Sequence, residues 1–96
     1  MSYAKGRRFE YTVRDALIGD GYEVLRSAGS KTKIDLVGIK REELLFVQCK
    51  EDGRCSPAER TKLIELAQMV EALPIIALKT HEGRRVGIGY RLLTGS

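Results

Sequence analysis

Three polar side chains stand at the ends of two otherwise apolar segments, and their types suit the handling of a phosphate. Asp35 is the second residue of the apolar segment 34–39. Gln48 and Lys50 close the apolar segment 44–50. A carboxylate and an amide oxygen are ligands for a hard divalent cation, and an ammonium group attracts phosphate. These residue types predict a site that holds a divalent cation against a phosphate, provided that the fold brings them together.

A β-hairpin would bring these three side chains together. If residues 40–43 form a four-residue loop, the opposed pairs are Ile39 with Leu44, Val37 with Phe46, and Asp35 with Gln48. Directly opposed residues point to the same face of a sheet, with Cβ atoms roughly 4.5–5.5 Å apart. The two-residue period of a strand places Lys50 on that face as well. An unpaired amide near the core would cost roughly 1–3 kcal/mol, so Gln48 is the least easily explained as an ordinary strand residue.

Two helices are predicted to flank this hairpin. Apolar residues at helical spacing predict the first helix over residues 4–19, ended by the Gly-Asp-Gly sequence at 19–21, and a strand follows at 22–26. The second helix is predicted over residues 56–73. Ser56 is its N-cap, Pro57 its first residue, and Glu59 completes a capping box. Its expected buried stripe consists of Leu63, Leu66, Ala67, Val70 and Leu73.

Two more strands complete the predicted order. The segment 74–78 is short and apolar, and the segment 86–92 alternates apolar residues with polar or small ones, with a turn between them at 82–84. The resulting order αβββαββ predicts an α/β fold in which a mixed five-stranded sheet is flanked by helices. His81 is expected in a loop and is given no catalytic role. The glycines at 83, 87 and 89 lack the strand–loop–helix context of a nucleotide fingerprint, so no small-molecule cofactor is expected.

Length and charge narrow the class of protein. The 96 residues predict a single domain over 1–96, and a net charge of +4 favours a polyanionic partner. The basic residues nearest to the predicted site in sequence are Lys5, Arg7, Arg8, Arg26, Lys31 and Lys33. Two cysteines form neither a disulfide framework nor a zinc motif, and Cys49 is expected to be a small core residue. No signal-peptide pattern and no apolar run near 18 residues occur, so we expect a cytoplasmic protein with no membrane partner.

Two further features gain meaning only beside the predicted site. Glu10 lies next to the core position Phe9 on the first helix, from where it could reach the strand ends; alone, it would be an ordinary solvated glutamate. The segment Ser27–Ser30 combines a glycine with hydroxyl groups that can donate to phosphate; alone, it would be a short polar turn.

The order of these residues resembles the PD-(D/E)XK nuclease superfamily. The segments similar to archaeal-type Holliday junction resolvases are Lys5–Glu10, Val24–Ser30, Ile34–Val37 and Phe46–Lys50. The likeness runs from about residue 5 to residue 79 and is strongest in the first fifty residues. The resemblance implies a restriction-endonuclease-like fold and a Mg²⁺-dependent homodimer, with Mn²⁺ as a substitute metal, that cuts four-way DNA junctions symmetrically.

The resemblance also implies roles for the residues singled out above. The implied metal-binding residues are Glu10, Asp35, Gln48 and Cys49, the last through its backbone carbonyl. Lys50 would position or activate the attacking water, and Ser30 would help at the phosphate. The six basic residues named above would contact the DNA backbone. The catalytic set is then Glu10, Ser30, Asp35, Gln48 and Lys50.

The chain departs from the family pattern at two points. The family usually has glutamate where this chain has Gln48, and an amide oxygen brings no charge to a metal. The connection from Ser30 to Asp35 is also one residue longer than usual. Despite these two departures, the resemblance implies a Holliday junction resolvase. Two alternatives remain open: another nuclease of the same fold, of restriction or nicking type, and a non-catalytic DNA-binding relative.

Overall fold

The computed structural model describes residues 2–27 and 33–94, and for residues 2–6 it describes the backbone alone. These ranges form helix α1 (Ser2–Gly19), strands β1 (Glu23–Arg26), β2 (Leu36–Lys40) and β3 (Glu43–Cys49), helix α2 (Pro57–Met69), and strands β4 (Leu73–Glu82) and β5 (Arg85–Leu92). The strands form one five-stranded sheet in the order β1-β2-β3-β4-β5. Strands β3 and β4 are parallel and the other neighbours are antiparallel. The predicted element order and the mixed α/β sheet are confirmed.

The β2–β3 hairpin has the predicted register but a shorter turn. Ile39 pairs with Leu44 and Val37 pairs with Phe46, as expected. The predicted four-residue loop is wrong, because Lys40 and Glu43 also pair and leave a two-residue turn. Glu42 closes that turn with a left-handed φ of 59°. Because the turn is shorter by one residue on each strand, the predicted register holds as far as the pair Leu36 and Val47.

The two helices cover opposite faces of the sheet. On one face α1 packs against Leu45 and Val47 of β3, and on the other α2 packs against Phe46, which lies between them. The helix residues in these clusters are Phe9, Val13, Leu17, Leu63 and Ile64. Each fully buried valine or leucine contributes about 1.5–3 kcal/mol, so β3 is held from both sides. Neither helix in the described ranges has the length and apolar character of a membrane span.

Helix α2 begins as predicted and ends early. The Ser56 hydroxyl accepts a hydrogen bond from the Glu59 backbone N–H at 3.2 Å, which confirms the N-cap. The helix ends at Met69 because Glu71 adopts a left-handed φ of 56° and the Ala72 N–H bonds back to the Ala67 carbonyl. The predicted stripe is therefore wrong beyond Ala67: Val70 and Leu73 are 53% and 39% exposed, whereas Ile64 is buried.

The last two strands are longer than the sequence pattern suggests. Strand β4 continues to Glu82 instead of stopping at residue 78, because its second half pairs with β5. His81 is therefore in a strand, opposite Val86, and the prediction that it lies in a loop is wrong. Strand β5 is half-exposed, as predicted: Ile88 is partly buried against the α1 cluster, and Tyr90, on the same face of the strand, is 44% exposed.

Candidate active site at the ends of β2 and β3

The hairpin places Asp35 beside the end of β3. The Asp35 N–H donates to the Val47 carbonyl at 2.8 Å. Val47 already pairs with Leu36, the first residue of β2, so Asp35 is offset by one residue from the hairpin register and the expected pairing of Asp35 with Gln48 is not formed. The Asp35 carboxylate then accepts a hydrogen bond from the Cys49 backbone N–H at 2.7 Å. These two bonds lock the carboxylate at the strand end, where it is only partly exposed.

Burial and like charges act on this carboxylate together. Removal from water is the main reason that the pKa of Asp35 lies above its ordinary value, and the negative charges of Glu10 and Glu59 raise this pKa further. The Cys49 N–H and the Lys50 ammonium act in the opposite direction. A carboxylate held among other carboxylates is a common arrangement where a cation binds, since the cation removes the repulsion.

Lys50 lies at the end of β3 and contacts the first turn of α2. Its backbone N–H donates to the Ala77 carbonyl of β4 at 2.8 Å, which anchors the residue to the parallel pair. Its ammonium Nζ lies 2.8 Å from Glu59 Oε2. The ammonium and the backbone N–H of Ser56 lower the pKa of Glu59 to about 2, and the hydrogen bond to Glu59 raises the pKa of Lys50.

Gln48 is buried beside this ion pair, on the α2 face of the sheet. Only 5% of the residue is exposed. Its amide nitrogen Nε2 donates to Glu59 Oε2 at 3.3 Å, and its oxygen Oε1 accepts from the Cys55 thiol at 3.5 Å. The expected burial of a polar amide is confirmed. Because both ends of the amide have partners, the cost of an unpaired polar group is avoided.

Glu10 reaches the site from α1. Its Oε1 accepts a hydrogen bond at 3.1 Å from Nε of Arg26, the last residue of β1. Its negative charge raises the pKa of Asp35 and, after burial and Asp35 itself, that of the Cys49 thiol, so all three groups lie within electrostatic reach. The described structure therefore brings Glu10, Asp35 and Cys49 to one end of the sheet, next to Lys50.

The sequence and fold of this chain were compared with those of known proteins. Residues 1–92 match the family model described as archaeal Holliday junction resolvase (Hjc). The chain belongs to the archaeal Holliday junction resolvase family. The resemblance predicted from the sequence is confirmed.

Two Hjc proteins are similar to this chain. The crossover junction endodeoxyribonuclease Hjc of Methanocaldococcus jannaschii is 32% identical over 81 residues, which are 80% of this chain and 60% of that protein. This chain thus spans less than two thirds of the relative's length. The structure of Archaeoglobus fulgidus Hjc superposes with a TM-score of 0.76 at 23% identity, covering 92% of this chain and 77% of that one. The superposition confirms the fold.

The donor set agrees with the hard divalent cation that is expected in a nuclease of the Hjc family. Among the residues that the structure describes, no three Asp, Glu, His or Cys side chains form a metal-ligand cluster by themselves. Mg²⁺ is usually bound by one or two carboxylates together with substrate phosphate and water, so a full protein cage is not required. Asp35 and Glu10 supply two carboxylates, and all the named donors are oxygen atoms, which such an ion prefers.

The basic residues expected at the DNA are only partly within the described structure. Arg7 and Arg8 are exposed on α1, and Lys33 is exposed just before Asp35. The Arg26 guanidinium contacts Glu10 and also lies over the Tyr11 ring, 5.1 Å from its centroid. The remaining predicted residues, Ser30, Lys31 and the side chain of Lys5, lie outside the described residues.

Sequence reasoning assigned Glu59 only to the capping box and missed its contacts with the site. The capping pattern predicts where α2 begins, but the pattern does not tell where the helix start lies relative to β3. The usable signal is the short connection from Lys50 to Ser56, which keeps the first turn of α2 close to the strand end. Cys55, which donates to Gln48, was missed for the same reason.

Proposed function

We propose that this protein is a divalent-metal-dependent endonuclease that resolves four-way DNA junctions, as a single nuclease domain that acts in a homodimer. The observation that carries the proposal is the convergence of Asp35, Glu10 and Lys50 at the ends of β2 and β3, in a chain of the Hjc family. Two carboxylates and an ammonium at one strand end fit phosphodiester hydrolysis, since they can hold a cation and balance charge on a phosphate.

Asp35 and Glu10 would hold Mg²⁺, with the Gln48 amide oxygen and the Cys49 carbonyl as neutral ligands, and Mn²⁺ would substitute. A cation held there would supply polarisation of the scissile phosphate and a more acidic water molecule. The hydrogen bond from the Cys49 N–H keeps the Asp35 carboxylate oriented before the cation arrives. Such preorganisation avoids a reorganisation cost during the reaction.

Lys50 would act on the phosphate and the attacking water. Its Nζ is held by Glu59 at 2.8 Å, and the side chain keeps 30% of its surface exposed, so the ammonium remains accessible to a substrate. A fixed positive charge beside the phosphate offsets the negative charge that develops during attack. Ser30 would donate to a phosphate oxygen from the connection before Asp35.

The exposed basic residues would bind the DNA backbone. Phosphate contacts position a nucleic acid without reading its sequence, so the substrate would be chosen by shape. Arg26 takes part even though Glu10 engages its Nε, because a guanidinium has five N–H donors. A homodimer would place two such sites on opposite strands, as paired nicks require.

The test compares a four-way junction, a linear duplex and a single strand of matched sequence, each with Mg²⁺ and with EDTA. The proposal expects paired nicks in the junction alone, and only with the metal. Asp35→Asn should abolish cleavage and leave junction binding nearly intact, whereas Asp15→Asn, an exposed acid on α1, should cut like the parent protein.

Three other outcomes would contradict the proposal, and two of them would indicate a different function. Equal cutting of linear duplex would indicate a restriction or nicking enzyme of the same fold. Junction binding without cleavage in Mg²⁺ or Mn²⁺ would indicate a non-catalytic relative. Undiminished cleavage by Asp35→Asn would contradict the site itself.

A further inference from the structure

The first turn of α2 brings a carboxylate beside Gln48, the position where the family usually has an acid. Glu59 Oε2 accepts hydrogen bonds from the Gln48 amide nitrogen at 3.3 Å and from the Lys50 ammonium at 2.8 Å. Position 48 carries a neutral amide in this chain, so the negative charge nearest to it on α2 is that of Glu59. The carboxylate thus reaches the site from a helix instead of from the strand.

The two oxygens of Glu59 have separate partners. Oε1 accepts from the Ser56 backbone N–H at 3.2 Å and completes the capping box. The capping box needs only one acceptor atom from Glu59, and a glutamine at this position could supply it too. The contacts of Oε2 with Gln48 and Lys50 are therefore additional to the requirements of helix initiation.

The orientation of the Gln48 amide follows from this contact. An ionised carboxylate can only accept hydrogen bonds, so Gln48 must turn its NH₂ group toward Glu59. The amide and the carboxylate then form a bonded pair that carries one negative charge, as a single glutamate at position 48 would. Glu59 also interacts electrostatically with Asp35, so this charge is felt where the cation is expected.

We propose that Glu59 is a functional residue of this site, whose carboxylate supplies the negative charge that position 48 lacks for holding a divalent cation. The same carboxylate positions the Lys50 ammonium. This inference rests on the proposed function, because it assumes that a cation binds beside Asp35.

The test measures Mn²⁺ binding by calorimetry, without DNA, for the full chain. Glu59→Gln keeps the size of the side chain and the capping box but removes the charge. Substitutions of groups that support metal ligands typically cost about 10–100-fold in metal affinity, and we expect a loss in that range. Glu65→Gln, an exposed glutamate on the same helix, is the matched control and should bind Mn²⁺ like the parent protein.

A charge exchange separates this role from a merely structural one. In the double variant Gln48→Glu with Glu59→Gln, the charge returns to the strand and the amide moves to the helix. We expect Mn²⁺ affinity to recover most of what Glu59→Gln lost. Far-UV circular dichroism of each variant checks that it is folded.

The outcomes distinguish this inference from the proposed function. If the parent protein binds Mn²⁺, Asp35→Asn does not, and Glu59→Gln binds like the parent, the inference is overturned and the proposed function stands. Failure of the exchange to restore binding to a folded Glu59→Gln protein also overturns the inference. If the parent protein neither binds Mn²⁺ nor cleaves junctions, the proposed function fails first.

Discussion

Acidification should remove a measurable part of the stability of this protein by protonating Glu59. Contacts with Lys50 and Ser56 lower the pKa of this carboxyl from 4.5 to about 2. A carboxyl whose pKa is lower in the folded state stabilises the fold above its unfolded pKa, and this contribution is lost as the pH falls through the folded value. The relevant window is therefore pH 4.5 down to about pH 2.

The magnitude follows from the size of this pKa change and from the exposure of the pair. The fall from 4.5 to about 2 corresponds to about 3 kcal/mol if water screened nothing. The Lys50 and Glu59 side chains keep 30% and 22% of their surface exposed, so solvent screening reduces the effect. We expect about 1 kcal/mol, near the upper end for exposed ion pairs.

Urea unfolding of the parent protein and of Glu59→Gln, in EDTA at several pH values, checks this estimate. The chain has no tryptophan, so far-UV circular dichroism is the suitable signal. Near pH 6 the variant should be less stable by about 1 kcal/mol. This difference should shrink between pH 4.5 and pH 2. A difference that stays constant over that window would refute the reasoning, and Glu65→Gln controls for general effects of removing a glutamate from α2.

Three further outcomes are expected. Gln48→Glu replaces the NH₂ donor facing Glu59 with a like charge, so the free energy of unfolding, measured in EDTA, should fall by about 1–3 kcal/mol. Added Mn²⁺ should raise the free energy of unfolding of this variant more than that of the parent protein. Equal increases would indicate that residue 48 does not contribute to metal binding. Replacing Arg7 and Arg8 by alanine should weaken binding to junctions of any sequence and lower the slope of log affinity against log salt by about 0.9 per lost phosphate contact. An unchanged slope would place the DNA surface elsewhere. Light scattering at micromolar concentration should give a dimer for the parent protein and a monomer for Tyr90→Asp, since Tyr90 lies on the half-exposed β5; a parent monomer that still cuts in pairs would contradict the dimer.

The parts of the fold that could be predicted from the sequence depend on local interactions. The hairpin register follows from the period of two, and the start of α2 follows from a capping box within four consecutive residues. The end of α2 was predicted too late because Glu71, not a glycine, adopts the left-handed conformation that stops the helix. The extension of β4 to Glu82 depends on pairing with β5, which the pattern of β4 alone does not contain.

In the candidate site, too, the contacts set by local strand geometry were predictable and those set by helix packing were not. That Gln48 and Lys50 reach one site was predictable, because the two-residue period of a strand relates them, and both contact Glu59. The place of Asp35 was only partly predictable, because Asp35 lies just before β2 and bonds to Val47 instead of pairing with Gln48. The contact of Glu59 with two of them was not predictable, because it depends on how α2 docks against β3. Arg26 was expected at the DNA from its charge and from its closeness in sequence to the predicted site, and only the folded structure shows that its Nε contacts Glu10.

The repulsion between Glu10 and Asp35 also couples helix docking to ligand binding. Glu10 belongs to α1 and Asp35 to the hairpin, so without a cation the docking of α1 brings two negative charges together. A cation between them removes this penalty, and by thermodynamic reciprocity any ligand that holds α1 in place strengthens cation binding. The exposed Arg7 and Arg8 lie on that same helix. We therefore expect Mn²⁺ to bind more tightly when duplex arms are present than when they are absent, and calorimetry with and without DNA measures the difference. The helix proposed to contact the nucleic acid would then also be the element through which the substrate raises the affinity of the protein for a divalent cation.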